Sequence, residues 1–393
     1  SGRREPMTVA DPNTDGTSAA GDAPVRVLHF VTGGFSGGAT QVAISLTRAA
    51  LGSDRIEPLL VLRRKLGVDP TRIAQLKEEG VPLATLPRWP HIATILRLAS
   101  ICRSFRPDVL VAHGYSEHLW GRYAGLLAGV PHLVHVEHNT RERYSRWRLA
   151  QSRWLAQRSA RIVGCSKAVC DVLTAMGMPS EKLLAIPNGI QLERFTRADD
   201  VPFSQRTPGI VMVARFSRQK DHATLLHAIA LLGLRGLRPR LLLAGGGKPS
   251  YRREMEALAE ELAVSDQVQF LGVCPNVPDL LMAHSIAVLS THYEGMPLAL
   301  LEGMAAGCAV VGSDVEGVRE VLCHGVNGCL VAPADPLALA DTLETLLKNP
   351  QQATRLAANA RADALTKYGI ERTNARYEEL FLVLAGGDAL HPK

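Results

Sequence analysis

Two glutamates eight residues apart, Glu294 and Glu302, bracket the segment Tyr293-Glu-Gly-Met-Pro-Leu-Ala-Leu-Leu-Glu302. Its second half predicts a buried helix over 297–306, with Pro297 at the first helical position, where a missing N–H costs nothing. Gly307 can end that helix in the left-handed conformation. Glu302 is the only charge on the helix, and a carboxylate on a buried apolar helix is costly without a partner. A pair of sugar hydroxyls would serve. Glu294 falls in the loop before the helix. The backbone amides of Gly295, Met296 and Leu298 then lie near a helix N-terminus, where an anion is favoured. Two carboxylates for hydroxyls, flanking an anion site, describe a pocket for a nucleotide sugar. On spacing alone an exposed loop glutamate plus an ordinary helix glutamate is the better reading; the companions of the pair reverse that.

Breaking a sugar–phosphate bond leaves charge on a departing diphosphate, so fixed cations aimed at it are expected. Arg215 lies just past a predicted strand, and Lys220 follows five residues later in the same loop. Ligands of open α/β sheets bind at the carboxyl ends of strands; Arg forks onto two phosphate oxygens and Lys acts as a point charge. The loop Gly33-Gly-Phe-Ser-Gly37-Gly38 lets backbone approach a diphosphate or an acceptor. It is not the G-x-G-x-x-G fingerprint. The end of the next strand carries Arg63, Arg64 and Lys65 with no acid for a ribose, which disfavours NAD and leaves NADP open. His138 follows a predicted strand in His135-Val-Glu-His-Asn-Thr140, and His113 is the other candidate site histidine; on residue type alone a lone loop histidine is more often structural. His135 is read as sharing no face with Glu137. No D-x-D pair stands in a pocket position, so the sequence requires no divalent metal and no cofactor.

At these residues the chain resembles the retaining glycosyltransferases of family 4, also called glycosyl transferases group 1, whose signature is the E-x7-E pattern. Ala214-Arg215-Phe-Ser-Arg-Gln-Lys220-Asp resembles the family's Arg-x4-Lys loop, Ile186-Pro-Asn188-Gly-Ile190 its interdomain segment, and Val268-Gln-Phe-Leu-Gly272-Val273 its base-binding strand. The stretch 324–335 and the glycine loop are similar to two further family segments, and the matches keep the family's order from about Val25 to Asp335. One departure is Glu316, where the family usually shows a second glycine. The resemblance implies an α/β GT-B fold, two Rossmann-like domains with parallel sheets facing across a cleft. It also implies roles. Glu294 holds sugar hydroxyls and Glu302 the ribose. Gly272 and Val273 present backbone to the base. His138 hydrogen-bonds the donor sugar or the oxocarbenium-like transition state. Gly37, Gly38, Gly295, Met296, Pro297 and Leu298 surround the phosphates. The anomeric configuration is kept, by a front-face route.

The 393 residues suffice for two domains. Residues 1–23 are polar and read as a disordered tail with no apolar core for a signal peptide. Alternating strand and helix patterns run through 24–193, the implied acceptor-binding domain. They resume over 209–370, the implied nucleotide-sugar domain, after a polar linker at 194–208. Residues 371–393 read as a final amphipathic helix that by periodicity either closes the second domain or, as the family's last helix commonly does, crosses back to the first. No apolar run approaches the ~20 residues that span a bilayer. Seven cysteines form no CxxC pair, as expected of reduced thiols in a cytoplasmic protein.

The net charge is +6, and the stretch 141–161, with seven arginines against one acid, Glu142, carries all of it. Tyr144, Trp147, Trp154 and Leu155 recur there at helical spacing. Such a helix fits an anionic membrane surface or an acceptor diphosphate, and equally a helix whose aromatics pack inward. No nucleic-acid motif accompanies it. The expected partners are a nucleotide sugar, UDP-linked first and GDP-mannose second, and a glycan or polyprenyl-diphosphate-linked acceptor. The expected place is the cytoplasm, peripheral to the inner membrane face. The rival readings are a nucleotide-sugar epimerase on the same fold and a non-catalytic nucleotide-sugar or NADP-binding module.

Overall fold

The computed structural model describes residues 23–33, 38–64, 70–88, 90–114, 117–140 and 144–386. The predicted tail up to residue 22, Gly37 with most of the glycine loop, and Arg141, Glu142 and Arg143 lie outside the described residues.

Seven short apolar segments pair into one parallel sheet: β1 (Val25–Gly33), β2 (Ile56–Arg64), β3 (Leu83–Leu86), β4 (Val109–His113), β5 (His132–Glu137), β6 (Arg161–Gly164) and β7 (Leu183–Ala185). Their order is β3-β2-β1-β4-β5-β6-β7. Six more form a second parallel sheet: β8 (Thr207–Val213), β9 (Arg240–Ala244), β10 (Val268–Gly272), β11 (His284–Leu289), β12 (Ala309–Ser313) and β13 (Cys329–Val331), in the order β10-β9-β8-β11-β12-β13. Parallel neighbours need crossovers, and helices supply them. The first series is α1 (Gly38–Ala50), α2 (Pro70–Glu78), α3 (His91–Phe105), α4 (Glu117–Ala128), α5 (Arg146–Arg158) and α6 (Lys167–Ala175). The second is α7 (His222–Leu234), α8 (Pro249–Glu261), α9 (Val277–Met282), α10 (Leu298–Ala305), α11 (Glu316–Arg319) and α12 (Pro336–Lys348), closed by α13 (Pro350–Lys367) and α14 (Ile370–Leu384). Strand order reverses between β1 and β4 and again between β8 and β11. Such reversals open crevices at the carboxyl edges of sheets.

The strands are near-continuous runs of Val, Leu, Ile and Ala because both sheet faces are covered. On one face of the first sheet Val27, Val109, Val134 and Val163 pack with Tyr377 and Phe381 of α14; on the other Leu28, Phe30 and Leu110 meet Leu98 and Ala99 of α3. The last helix therefore lies on the first sheet. It is tied there by Ile190 N–H to Tyr368 O at 2.8 Å, Ile370 N–H to Ile190 O at 2.9 Å and Thr373 Oγ1 to Pro187 O at 2.8 Å.

Two local differences from the sequence reading have clear causes. The polar stretch 194–208 is docked, not loose: Phe195 and Ala198 are buried. Arg206 donates through Nη1 to Ala306 O at 2.8 Å and Gly307 O at 2.9 Å, satisfying the open carbonyls at the end of α10. Gly307 does end that helix at φ 75°. Pro297 is the N-cap and not the first helical residue: its φ −85° and ψ 74° are not helical, while its carbonyl accepts the helix's opening bond from Leu301 N–H at 3.1 Å.

Candidate active site

The carboxyl edges of the two sheets face each other across a cleft of about 720 Å³. The first sheet contributes the ends of β1, β2, β4 and β5, with Gly38 at the start of α1. The second contributes the loops after β8, β9 and β11 and the turn into α10. Concave sites between domains favour small molecules.

Glu294 is buried, 6% exposed, rather than standing open in its loop. Lys220 Nζ forms an ion pair with its Oε1, and Thr291 Oγ1 donates to the same oxygen at 3.0 Å. A carboxylate taken from water needs such partners. Lys220 is thus committed to Glu294 in this arrangement. Arg215 lies at the same mouth, exposed, with no ion-pair partner among the described residues. The anion-binding amides are also rearranged. Leu298 N–H, expected to be free, donates to Met296 O at 3.0 Å. Pro297, at φ −85° and ψ 74°, is the centre of an inverse γ-turn. Met296, Pro297 and Leu298 still line the cleft, and Gly295 sits just behind them. A Cβ at Gly295 would overlap the His138 carbonyl oxygen, so only glycine admits this approach of the two domains.

His138 lines the cleft from the first domain. Burial and the neighbouring His135 lower its pKa to about 4, so the ring is neutral near pH 7. Neither of its ring nitrogens has a hydrogen-bond partner among the described residues. His113 stacks beside it with centroids 5.9 Å apart, and His113 Nε2 lies 3.0 Å from His29 Nδ1. His138 N–H and Asn139 N–H both donate to Glu137 Oε1, at 2.9 and 3.3 Å. Thr140 Oγ1 then donates to Glu294 O at 3.2 Å, joining the two sides.

Glu137 is the residue that sequence reasoning missed. Its Oε2 lies 3.6 Å from His135 Nε2 and accepts from Tyr144 O–H at 3.5 Å. The reading that His135 and Glu137 share no face is wrong: residues two apart on a strand point the same way, and that period was the available signal. Behind them Arg122, fully buried, lies 2.7 Å from His118 Nδ1 and donates to Ser159 Oγ at 3.0 Å; Tyr144 O–H is 2.6 Å from His118 Nε2. Burial pushes the Glu137 carboxyl up, and the two backbone amides, Tyr144 and Arg122 oppose this. Among the described residues His118, His135 and Glu137 form the single group with metal-ligand spacing. Arg122 and Tyr144 engage both ring nitrogens of His118, so the group already faces a fixed cation.

Three predicted residues stand apart from this cleft. Glu302 lines a second cavity of about 540 Å³ with Gln41, Ser45, Arg48, Arg194 and Asn374. The two cavities follow one another along α1, whose Gly38 and Thr40 line the first and Gln41 and Ser45 the second. Burial raises the Glu302 pKa to about 7, against a smaller pull from Arg194. Gly272 and Val273 do not line the cleft either. Gly272 O accepts from Gly245 N–H at 2.7 Å, and Val273 is exposed.

Residues 36–194 match the family model Glycosyltransferase Family 4, and residues 194–363 match Glycosyl transferases group 1. A D-inositol 3-phosphate glycosyltransferase of Xylanimonas cellulosilytica is 29% identical over 252 residues, 59% of each chain. The glycogen synthase of Mycobacterium tuberculosis is 27% identical over 388 residues, 88% of this chain and 90% of its own. Anabaena Alr3699/HepE, solved with UDP and glucose, superposes at a TM-score of 0.78 with 20% identity, covering 91% of this chain and all of the other. A Rickettsia africae glycosyltransferase superposes at 0.79 with 16% identity, covering 93% of this chain and all of its own. At those identities the likeness is one of fold, the GT-B arrangement of two facing Rossmann-like domains. The two family models meet at residue 194 and run in order through both domains, and the chain belongs to the glycosyl transferases group 1.

Proposed function

We propose that the protein is a retaining transferase that moves a sugar from a nucleotide-sugar donor, UDP-linked in the first instance and GDP-mannose in the second. The acceptor is a lipid-linked or membrane-proximal glycan in surface-polysaccharide assembly. The observation that carries this reading is the meeting of Glu294, Lys220 and Arg215 with the His138 loop in one cleft. The solved complexes of HepE with UDP and UDP-glucose support the donor class.

In this mechanism Arg215 and Lys220 face the diphosphate as its charge grows, in a site where fixed cations act strongly. Lys220 is held by Glu294 until a phosphate oxygen shares it, and Glu294 then takes sugar hydroxyls. Neutral His138 offers a hydrogen bond, not a charge. Neither carboxylate of the cleft is assigned as a nucleophile: Glu137 is tied to the His138 and Asn139 amides, and Glu294 is given to the sugar hydroxyls. The front-face route is the one the family resemblance implies. The C1–O bond to phosphate breaks, the bond from C1 to the acceptor oxygen forms, and the acceptor proton passes to the departing phosphate oxygen. The cations do the work that a divalent metal would otherwise do, so neither metal nor cofactor is invoked. No helix among the described residues is long and apolar enough to cross a membrane. The proposed place is the cytoplasmic face, with α5 against an anionic surface.

The test is calorimetric titration of UDP, GDP, ADP, NADP and the sugar conjugates. Binding of UDP-glucose or GDP-mannose, with transfer abolished in Glu294→Ala, is expected. Tight binding of NADP alone would overturn the reading.

A further inference from the structure

We propose that the first-domain wall of the cleft is an anion subsite for the acceptor, which carries a phosphate near the hydroxyl it offers; this rests on the transferase reading above. Arg63 and Arg64 end β2, in register with Thr32 and Gly33 at the end of β1. Arg88 follows β3, whose Leu86 is the register partner of Arg63. All three line the cleft on the wall opposite Arg215 and Lys220. The acids lining it, Glu137 and Glu294, are committed elsewhere. Arg64 and Arg88 are exposed and have no ion-pair or hydrogen-bond partner among the described residues. The field reaches beyond the wall: after burial, Arg63 and Arg148 are the causes that lower the pKa of His91.

Cations gathered on one wall repel each other and focus a positive potential into the cleft. The donor diphosphate is answered from the opposite wall, by Arg215, Lys220 and the turn into α10. It leaves Arg64 and Arg88 unanswered. A neutral glycan would do the same. A phosphate on the acceptor matches the forked geometry of guanidinium groups and relieves the repulsion. That phosphate can belong to a soluble phosphorylated polyol or to a polyprenyl diphosphate; the chemistry at the arginines is shared.

Two measurements test this. Inorganic pyrophosphate is titrated into full-length protein saturated with UDP, so that the donor-phosphate site is filled. Binding is expected for wild type and should weaken ~tenfold for each arginine removed in Arg64→Ala and Arg88→Ala, with UDP affinity unchanged. Arg88→Lys, which keeps the charge, should recover part of the loss. UDP release from UDP-glucose is then followed with glycerol 3-phosphate, hexose phosphates, their dephosphorylated counterparts, and a polyprenyl diphosphate in detergent. Acceleration by phosphorylated members only supports the subsite, and which member accelerates identifies the source. If pyrophosphate fails to bind UDP-loaded wild type, or neutral counterparts accelerate release as well, the subsite is wrong while the donor reading stands. If neither UDP nor GDP binds but pyrophosphate binds in an arginine-dependent way, the donor reading fails and the anion site stands. Competition by NADP for both ligands would assign the arginines to a dinucleotide and overturn the acceptor claim.

Discussion

At the scale of single residues, the pairing of Glu294 with Lys220 changes what substitution should do. Glu294→Ala removes the proposed sugar contact and strands Lys220, whose side chain is 14% exposed. Breaking one half of a buried pair costs about 3–5 kcal/mol. Loss of transfer should therefore come with a lower urea midpoint, and Glu294→Gln should regain some stability but not activity. Normal transfer by purified Glu294→Ala would sink the donor-pocket reading. Arg215→Ala has no pair to break, so it should lower kcat ~10²–10³-fold with no change in melting. Activity should persist in EDTA, and strict dependence on added metal would reassign the charge stabiliser. Glu302 supplies a pH signature. Its folded pKa is about 7 against an ordinary 4.5, so the folded chain keeps a proton that the unfolded chain has released. Its contribution to stability therefore falls as pH rises from 4.5 to 7, and Glu302→Gln should flatten that slope. Ribose hydroxyls donating to the carboxylate would favour its ionised form, so nucleotide affinity should rise with pH through 7 in wild type only. A pH-independent wild-type titration would remove Glu302 from the ribose.

At the scale of elements, most strands and helices were legible because parallel strands buried on both faces are uninterrupted apolar runs. Residues 209–213 and 240–244 announce β8 and β9 in this way. The inverse γ-turn at Pro297 was not legible, since proline suits a first helical turn and an N-cap alike. Nor was the Arg122–His118–Tyr144–Glu137 network, whose members come from α4, β5 and the start of α5 and meet only after folding. The helix α5 shows the same division. Leu155 is fully buried and Tyr144 turns in to His118, whereas Trp147 is 74% and Trp154 46% exposed. Arg158 stacks 3.8 Å from the Trp154 ring centroid, and Arg153 donates to Met176 O at 2.7 Å. The outward face thus keeps two tryptophans seven residues apart, two helical turns, together with Arg146. Each basic residue near an anionic surface adds ~1 kcal/mol, screened by salt. Wild type should sediment with anionic liposomes at low salt and not at high salt, and Trp147→Ala with Arg146→Glu should not sediment at all. Equal, negligible pelleting of both proteins would remove the membrane surface from the proposal.

At the scale of the whole molecule, the two domains are fastened at both ends of the cleft. At one end is the backbone bridge between Ile190 and Gly369. At the other, Glu320, just past α11, reaches across to the start of α6: its Oε2 accepts Lys167 N–H at 3.0 Å and its Oε1 accepts Ala168 N–H. Those amides are open donors at a helix N-terminus, and Ser166 satisfies only Val169 N–H. A carboxylate from the opposite domain completes the cap and meets the positive end of the helix dipole, a contact of about 1 kcal/mol. Between these fastenings stand the Thr140 contact with Glu294 O and the approach of Gly295 to the His138 carbonyl. Sequence could not reveal this clasp, because an exposed Glu after a short helix carries no mark of its distant partner. The clasp leaves the proposed sugar and phosphate groups untouched, so it separates domain closure from chemistry. Glu320→Lys puts a positive charge against the same amides and should favour an opened pair of domains. Small-angle scattering of that variant should give a larger radius of gyration than wild type, UDP should bind more weakly, and saturating UDP-glucose should restore the compact value. Identical scattering curves for variant and wild type without ligand would mean that Glu320 does not hold the domains together.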